Sequence, residues 1–171
     1  MYIYLNMLRI LGVLHLIHGP SLIILPFLYD NYVGDLLYFD YFFVMMFCYT
    51  YFQRECPITY LAKMIQDPGY IPGSTPMDFP EITAIFPPPY SHKISYYLFM
   101  TSSAGYMGSL NFVIYRLNIP PELLLIPFGC LSIYFSIPDK SEYNFRVYQE
   151  FIKVIMLSCI FIVSNTIIHQ L

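Results

Sequence analysis

The stretch that decides the fold is the polar segment from Gln53 to Lys93, which reads QRECPITYLAKMIQDPGYIPGSTPMDFPEITAIFPPPYSHK. Almost unbroken apolar sequence lies on both sides of it. Over the whole chain of 171 residues, 57% are hydrophobic and 11% are charged, whereas a soluble domain averages about 25% charged residues. The chain has too little polar surface to cover a water-soluble globule, so we expect a multi-pass membrane protein.

Five apolar blocks are long enough to cross a bilayer as helices, which takes about 20 residues each. The first two are joined by only two residues, Asp30-Asn31, so they must be antiparallel neighbours. The predicted fold is therefore an all-α integral membrane helical bundle in a single domain. Because the last block is short, four spans are the alternative to five. The predicted spans are residues 8–29, 32–52, 94–115, 117–137 and 151–168.

The polar segment, residues 53–93, contains signals for a short helix followed by irregular chain. Pro57 is tolerated in the first turn of a helix, and apolar residues follow at helical spacing. This pattern predicts an amphipathic helix in the membrane interface that ends at the breaker Asp67-Pro68-Gly69. Prolines recur every fourth residue beyond it, which predicts extended or polyproline-like chain with turns. The apolar face of the predicted helix consists of Ile58, Leu61, Ala62 and Ile65.

The basic residues are distributed unevenly among the predicted connectors. The connectors after spans two and four hold six of the eight basic residues, whereas those after spans one and three hold only Arg116. The positive-inside rule then places the N-terminus on the inner face of the membrane. The basic residues are dispersed and the net charge is −3, so we expect no nucleic-acid binding. The six basic residues in the connectors after spans two and four are Arg54, Lys63, Lys93, Lys140, Arg146 and Lys153.

The start of the polar segment, Cys56-Pro57-Ile58-Thr59 with Leu61 after it, is followed by Gly69-Tyr70 and Gly73. This pattern resembles a family of small bacterial four-helix membrane proteins of unknown function. In that family a Cys-Pro-Leu-Thr-x-Leu-Glu motif ends the second span. The resemblance covers about residues 10–75 and departs at Ala62, where the family has glutamate. It implies an architecture and a motif, but no activity. The motif and the two residues before it comprise Arg54, Glu55, Cys56, Pro57 and Thr59.

Ionisable residues inside predicted spans cost about 2.5–3.5 kcal/mol on insertion scales, so they are candidate functional residues. His15 and His18 lie three residues apart on one face of span one, and span two carries Asp35 and Asp40. The short hairpin link brings Asp40 to nearly the same depth as His18, which predicts a hydrogen bond or ion pair between them. We interpret the cluster as a polar clasp that fixes the register of the hairpin. The alternative is a proton or ion relay.

Two further groups of residues are candidates for packing or chemistry. Thr101, Gly105 and Ser109 form a row of small residues, with Gly108 on the adjacent stripe, and such rows let helices approach closely in lipid. Cys56 could act as a thiol nucleophile with Glu55 and His92, although a structural cysteine is the simpler interpretation.

No cofactor or metal is expected. The four cysteines lack CxxC spacing, which argues against a zinc site. His92 and His169 do not lie level with the two histidines of span one, whereas a bis-histidine haem site needs two histidines at similar depth.

Taken together, the sequence favours a non-catalytic structural or accessory component of a membrane complex. Its expected partners are the lipid bilayer and other membrane subunits. A small transporter that conducts protons or ions through the histidines and aspartates is the first alternative. An interfacial membrane enzyme is the second.

Overall fold

The computed structural model of the chain describes residues 2–76, 78–136 and 143–170. Every regular element in these ranges is a helix and none is a strand, which confirms the all-α prediction. A 3-10 helix, Pro121–Leu124, leads directly into α6. The α-helices are α1 (Tyr2–Leu28), α2 (Tyr32–Tyr51), α3 (Pro57–Gln66), α4 (Pro80–Thr83), α5 (Tyr90–Arg116), α6 (Leu125–Ser136) and α7 (Tyr143–Gln170).

The helices α1, α2, α5, α6 and α7 run between two ends of a bundle. One end contains the α1–α2 connection, residues 29–31, and we call it the loop end. There Arg116, at the C-terminus of α5, bonds to Asp35 and to the carbonyl of Tyr29. At the opposite end, the Gln149 side chain of α7 donates to the carbonyl of Thr50 at the end of α2. α2 has 20 residues and is therefore about 30 Å long. The two ends are separated by about the thickness of a bilayer core.

The buried core is built around the aromatic helix α2. Phe42 is stacked on Phe128 of α6, with ring centroids 5.2 Å apart and planes 10° apart. The most extensive packing of α2 is with α7, while that of α1 is with α5. The α7 residues Ile152 and Met156 are completely buried in this core. Aromatic burial on α2 therefore holds together the helices that are distant from it in sequence.

Two helices in the described ranges are long and apolar enough to cross a membrane, namely Ile3–Leu28 and Phe145–Gln170. Only 11% and 22% of their most apolar windows are buried, whereas the core helix of a soluble protein is mostly buried. Ile10, Ile17 and Ile24 of α1 are more than half exposed, at 61%, 58% and 52%. These exposed apolar faces are typical of a surface that contacts lipid or other membrane helices.

The helix predicted at the start of the polar segment is present as α3. Cys56 is the N-cap of α3 and Asp67 is its C-cap, as the proline and the breaker indicated. The face turned to the protein carries Thr59, Ala62 and Lys63, while Leu61 is 49% exposed. The buried face of α3 thus combines Ala62 of the apolar stripe with the polar side chains of Thr59 and Lys63, which bond to the buried carboxylates of Glu81 and Glu55.

Two segments contain more helix than the sequence predicts. The proline-rich chain, predicted as extended or polyproline-like chain with turns, also contains α4, in which Pro80, Glu81 and Ile82 are buried. The polar connector predicted at residues 138–150 is helical from Tyr143 onward, and residues 137–142 lie outside the described ranges. Phe145 and Gln149 are buried one turn apart, so packing extends α7 into that connector.

Candidate functional site

The ionisable residues predicted to form one intramembrane cluster have separate partners. His18 bonds to the hydroxyl of Tyr41, whereas Asp40 accepts a hydrogen bond from Ser164 of α7 at 3.0 Å. Successive helical residues point about 100° apart, so Tyr41 faces α1 and Asp40 faces α7. His18 therefore lies at about the depth predicted relative to α2, but its expected partner, Asp40, lies on a different face of α2. The fourth residue, Asp35, belongs to the loop end.

His15 instead joins the bundle to the polar segment. Its Nδ1 lies 2.8 Å from Oε1 of Glu81, whose side chain is completely buried. Thr59 of α3 donates a hydrogen bond to the same glutamate oxygen at 2.7 Å. One carboxylate therefore connects α1, α3 and α4. We call residues 55–76 and 78–83 the cap.

Cys56 lies at the centre of this arrangement. It is buried at the N-terminus of α3, three residues before Thr59 and therefore on the same side of the helix. Its side chain lies beside His15 and Tyr49. The histidine near Cys56 is therefore His15 and not the predicted His92, which is exposed on α5.

A second buried ion pair lies beside the first. Nζ of Lys63 is 3.0 Å from Oε1 of Glu55, and the two side chains are 3% and 0% exposed. Lys63 also donates to the hydroxyl of Tyr70 at 3.2 Å and to the carbonyl of Thr75. All three donors of the ammonium group are used. This pair fixes the loop around residues 70–75 against α3.

Each of the two buried carboxylates of the cap retains one oxygen without a hydrogen-bond partner among the described residues, namely Oε2 of Glu55 and Oε2 of Glu81. Within the described ranges, no cluster of three or more histidine, cysteine, aspartate or glutamate residues could hold a metal ion. The cap and α1 together bring a thiol, an imidazole and two carboxylates into one region, and these are groups that exchange protons.

The loop end carries its own ion pair. Arg116 bonds to Oδ1 of Asp35, which is buried, and donates to the carbonyl of Tyr29 at 3.0 Å. Asp30, on the surface, lies 3.6 Å away. The hydrogen bond with Asp35 raises the pKa of Arg116, so the guanidinium stays charged. These contacts tie the end of α5 to the α1–α2 connection.

The small residues of α5 divide between two faces of that helix. A Cβ added at Gly105 would lie 2.5 Å from Cδ1 of Ile23, and Ser109 donates to the carbonyl of Ile23 at 2.7 Å. These two residues therefore lie against α1. Thr101 is exposed, and a Cβ added at Gly108 would meet nothing within 4 Å. The predicted row is thus partly an internal contact and partly an open surface.

Glu81 is the central residue that the sequence interpretation missed. It follows Pro80, and a proline followed by an acidic residue is a signal for a helix N-terminus. The same signal, Pro121-Glu122, stands at the start of the 3-10 helix that leads into α6. Applied to the proline-rich chain, it would have predicted α4. The burial of Lys63 was also not predicted, because a lysine on an amphipathic helix is usually exposed.

No protein-family model matches the chain, and no curated protein and no solved structure matches it either.

Proposed function

We propose that this chain is a multi-pass integral membrane protein that serves as a structural or accessory component of a membrane assembly. The observation that carries the proposal is that three ionisable residues of α1 and α2 each have a separate internal partner. His18 pairs with Tyr41, Asp40 with Ser164 and Asp35 with Arg116. Pairs of this kind hold helices in register, and these three do not join into one polar path among the described residues.

The membrane part of the proposal is supported by two candidate spans and by the distance of about 30 Å between the polar ends. We propose that α1, α2, α5, α6 and α7 all cross the bilayer, with four crossings as the alternative. The cap, which carries Lys63, lies on the positive-inside face together with the N-terminus. The resemblance to small bacterial four-helix membrane proteins remains a prediction for residues 10–75.

A proton or ion relay is supported less well. A relay requires titratable groups that follow one another along a continuous route. His15 and His18 face Glu81 and Tyr41, whereas Asp40 faces α7. The predicted histidines and aspartates therefore lie on different sides of α2 and do not form one route.

The outward face of α5 is the surface that we assign to a membrane partner. Thr101, Ala104, Gly108 and Asn111 are exposed on it at helical spacing. Small residues allow another helix to approach closely, and Asn111 offers an amide that can hydrogen-bond across a helix interface. In lipid alone this amide would lack such a partner, so a neighbouring helix is the better environment for this face.

The test is gentle detergent extraction from the native membrane, followed by native electrophoresis and identification of co-purifying proteins. We expect the chain to migrate above its own 20.1 kDa together with at least one other membrane protein. Gly108→Leu should release it from that assembly, because a bulky side chain separates the helices. The matched control is Val154→Leu, which adds a methylene group at an exposed position of α7 and should leave the assembly intact.

The proposal fails if the wild-type chain is extracted as a stable monomer that brings no other membrane protein with it. It fails equally if Gly108→Leu and Val154→Leu migrate identically with the wild-type assembly.

A further inference from the structure

We propose that the groove between α1 and α2 binds a lipid-soluble quinone, one oxygen of which is hydrogen-bonded to His18. The groove has a volume of about 360 Å³, and its nine lining residues all come from α1, α2 and the connection between them. A mainly apolar site of this size with a few placed polar groups is typical of small-molecule binding. The inference rests on the membrane crossing proposed above, but not on assembly with partners.

The hydrogen-bonding capacity of the groove is concentrated at one end. The hydroxyl groups of Ser21, Tyr29 and Tyr38 each donate to a backbone carbonyl, at 2.8, 3.0 and 2.7 Å, so their hydrogens are not available to a ligand. The remaining polar pair, His18 and Tyr41, lies at the end farthest from the α1–α2 connection. This distribution fits a ligand with a polar ring at one end and an apolar tail.

His18 has one ring nitrogen left for such a ligand. Its Nε2 is bonded to the hydroxyl of Tyr41, whereas Nδ1 forms no hydrogen bond within the part of the chain that the structure describes. Without water, an unpartnered ring nitrogen is costly, so a ligand oxygen is favoured beside it.

The two tautomers of His18 match the two redox forms of a quinone. A neutral imidazole has one donor and one acceptor nitrogen. If Tyr41 donates to Nε2, then Nδ1 carries the hydrogen and donates to a quinone carbonyl. If Nε2 donates to Tyr41 instead, Nδ1 accepts a hydrogen bond from the hydroxyl of the reduced quinol. The pair therefore has a hydrogen bond to offer to either form.

The depth of the pair selects the class of ligand. His18 lies ten residues before the end of α1 at Leu28, which is about 15 Å along the helix axis. This distance is half of a hydrocarbon core about 30 Å thick. Phospholipids and sterols keep their polar groups at the membrane surface, so they bring no hydrogen-bonding group to this depth. A quinone with a prenyl tail dissolves in the hydrocarbon core and carries its carbonyl oxygens into it.

The walls of the groove are fixed by contacts within the chain. Pro26 lies inside α1 and has no N–H for the carbonyl of Leu22, four residues earlier. The hydroxyl of Tyr38 replaces that donor and ties α2 to α1. Nearer the connection, a Cβ on Gly34 would be 2.7 Å from the ring of Tyr29, so glycine leaves room for that ring. Walls that are formed before binding reduce the entropy that binding costs.

The test measures the binding of a tritiated benzoquinone with a decyl tail to the full chain in lipid nanodiscs, with empty nanodiscs as the blank. We expect saturable binding of one quinone per chain. His18→Phe keeps a ring but removes the hydrogen bond, so the dissociation constant should rise about tenfold. The matched control is His92→Phe, which replaces an exposed histidine of α5 and should leave the dissociation constant unchanged.

Two further measurements on the wild-type chain separate recognition of the quinone from filling of the groove by any hydrocarbon. Decylbenzene has the same tail but no oxygen, so it should displace the quinone at least about tenfold less effectively. An azido-substituted quinone activated by light should attach to residues 18–41. Equal competition by decylbenzene, or label spread over the exposed faces of the other helices, would overturn the proposal.

The binding data themselves give two more outcomes against the proposal. One is binding to the loaded nanodiscs that does not exceed that of empty ones. The other is a His18→Phe variant that unfolds at the wild-type temperature and binds the quinone with wild-type affinity. Failure of the chain to enter nanodiscs would overturn the membrane crossing and this proposal with it, whereas absent binding in nanodiscs overturns this proposal alone.

Discussion

Lys63 and Glu55 form an ion pair that is almost completely withdrawn from solvent, although Lys63 belongs to a helix whose sequence suggests a solvated polar face. Withdrawing two charges from water costs several kcal/mol for each ion, and only good geometry and further hydrogen bonds offset that loss. Tyr70 and Thr75 supply those hydrogen bonds. The ion pair is therefore stable only while both charges and these hydrogen bonds are present, and removing either charge destabilises the protein.

Lys63→Met should lower the free energy of unfolding by about 3–5 kcal/mol, because it leaves Glu55 as an uncompensated buried charge. Chemical unfolding in detergent micelles would measure this loss. The control is Lys153→Met, which removes the partner of the exposed Glu150 and should cost less than about 1 kcal/mol. Equal losses for the two variants would show that the Lys63 pair is not buried as described.

Individual residues could be predicted only as candidates, not with their partners. His15 and His18 were identified because charged and polar groups are rare in apolar helices. The partner of His15, Glu81, is 66 residues away in the sequence, and no local pattern connects the two. The partner of His18 was missed by one position, Tyr41 in place of Asp40, because the rotation of α2 about its axis is set by packing against α7.

At the scale of elements, the short helix α4 depends on its close approach to α1. A Cβ at Gly12 would lie 2.4 Å from the carbonyl oxygen of Glu81 and 2.6 Å from Cδ1 of Ile85. We expect Gly12→Ala to destabilise the protein by about 1–3 kcal/mol, because the backbone of α4 must move. Thermal unfolding in detergent would measure the change.

The control for this prediction is Gly129→Ala in α6. A Cβ there would meet nothing within 4 Å, and alanine is favoured over glycine in a helix by about 1 kcal/mol. Gly129→Ala should therefore be neutral or stabilising. If Gly12→Ala is also neutral, α4 does not pack against α1 at this distance.

Elements with local start and stop signals could be predicted from the sequence, and elements set by tertiary packing could not. The start of α2 follows Asn31, whose side chain accepts a hydrogen bond from the Gly34 amide at 2.6 Å. Pro57 and the breaker after Gln66 likewise bound α3. In contrast, the first two turns of α7 are helical because Phe145 and Gln149 are buried against the ends of α2 and α6.

At the scale of the whole molecule, composition predicted an all-helical bundle, but the choice of helix neighbours could not be predicted. The α1–α2 connection makes those two helices adjacent, yet the most extensive contacts join α2 to α7 and α1 to α5. Apolar faces carry little information about which other apolar face they will meet. The polar groups at the loop end and in the cap then fix the arrangement, through Arg116 at one end and Glu81 at the other.

The central claim is that the bundle crosses a membrane with its loop end on one side and the cap on the other. The direct measurement is labelling by a membrane-impermeant maleimide in sealed, right-side-out vesicles. Single cysteines are introduced as Asp30→Cys and Gln66→Cys, both at exposed positions, in a chain whose native cysteines are replaced by serine. We predict that Asp30→Cys reacts at once, whereas Gln66→Cys reacts only after permeabilisation. Reaction of both from the same side, without permeabilisation, would contradict the account.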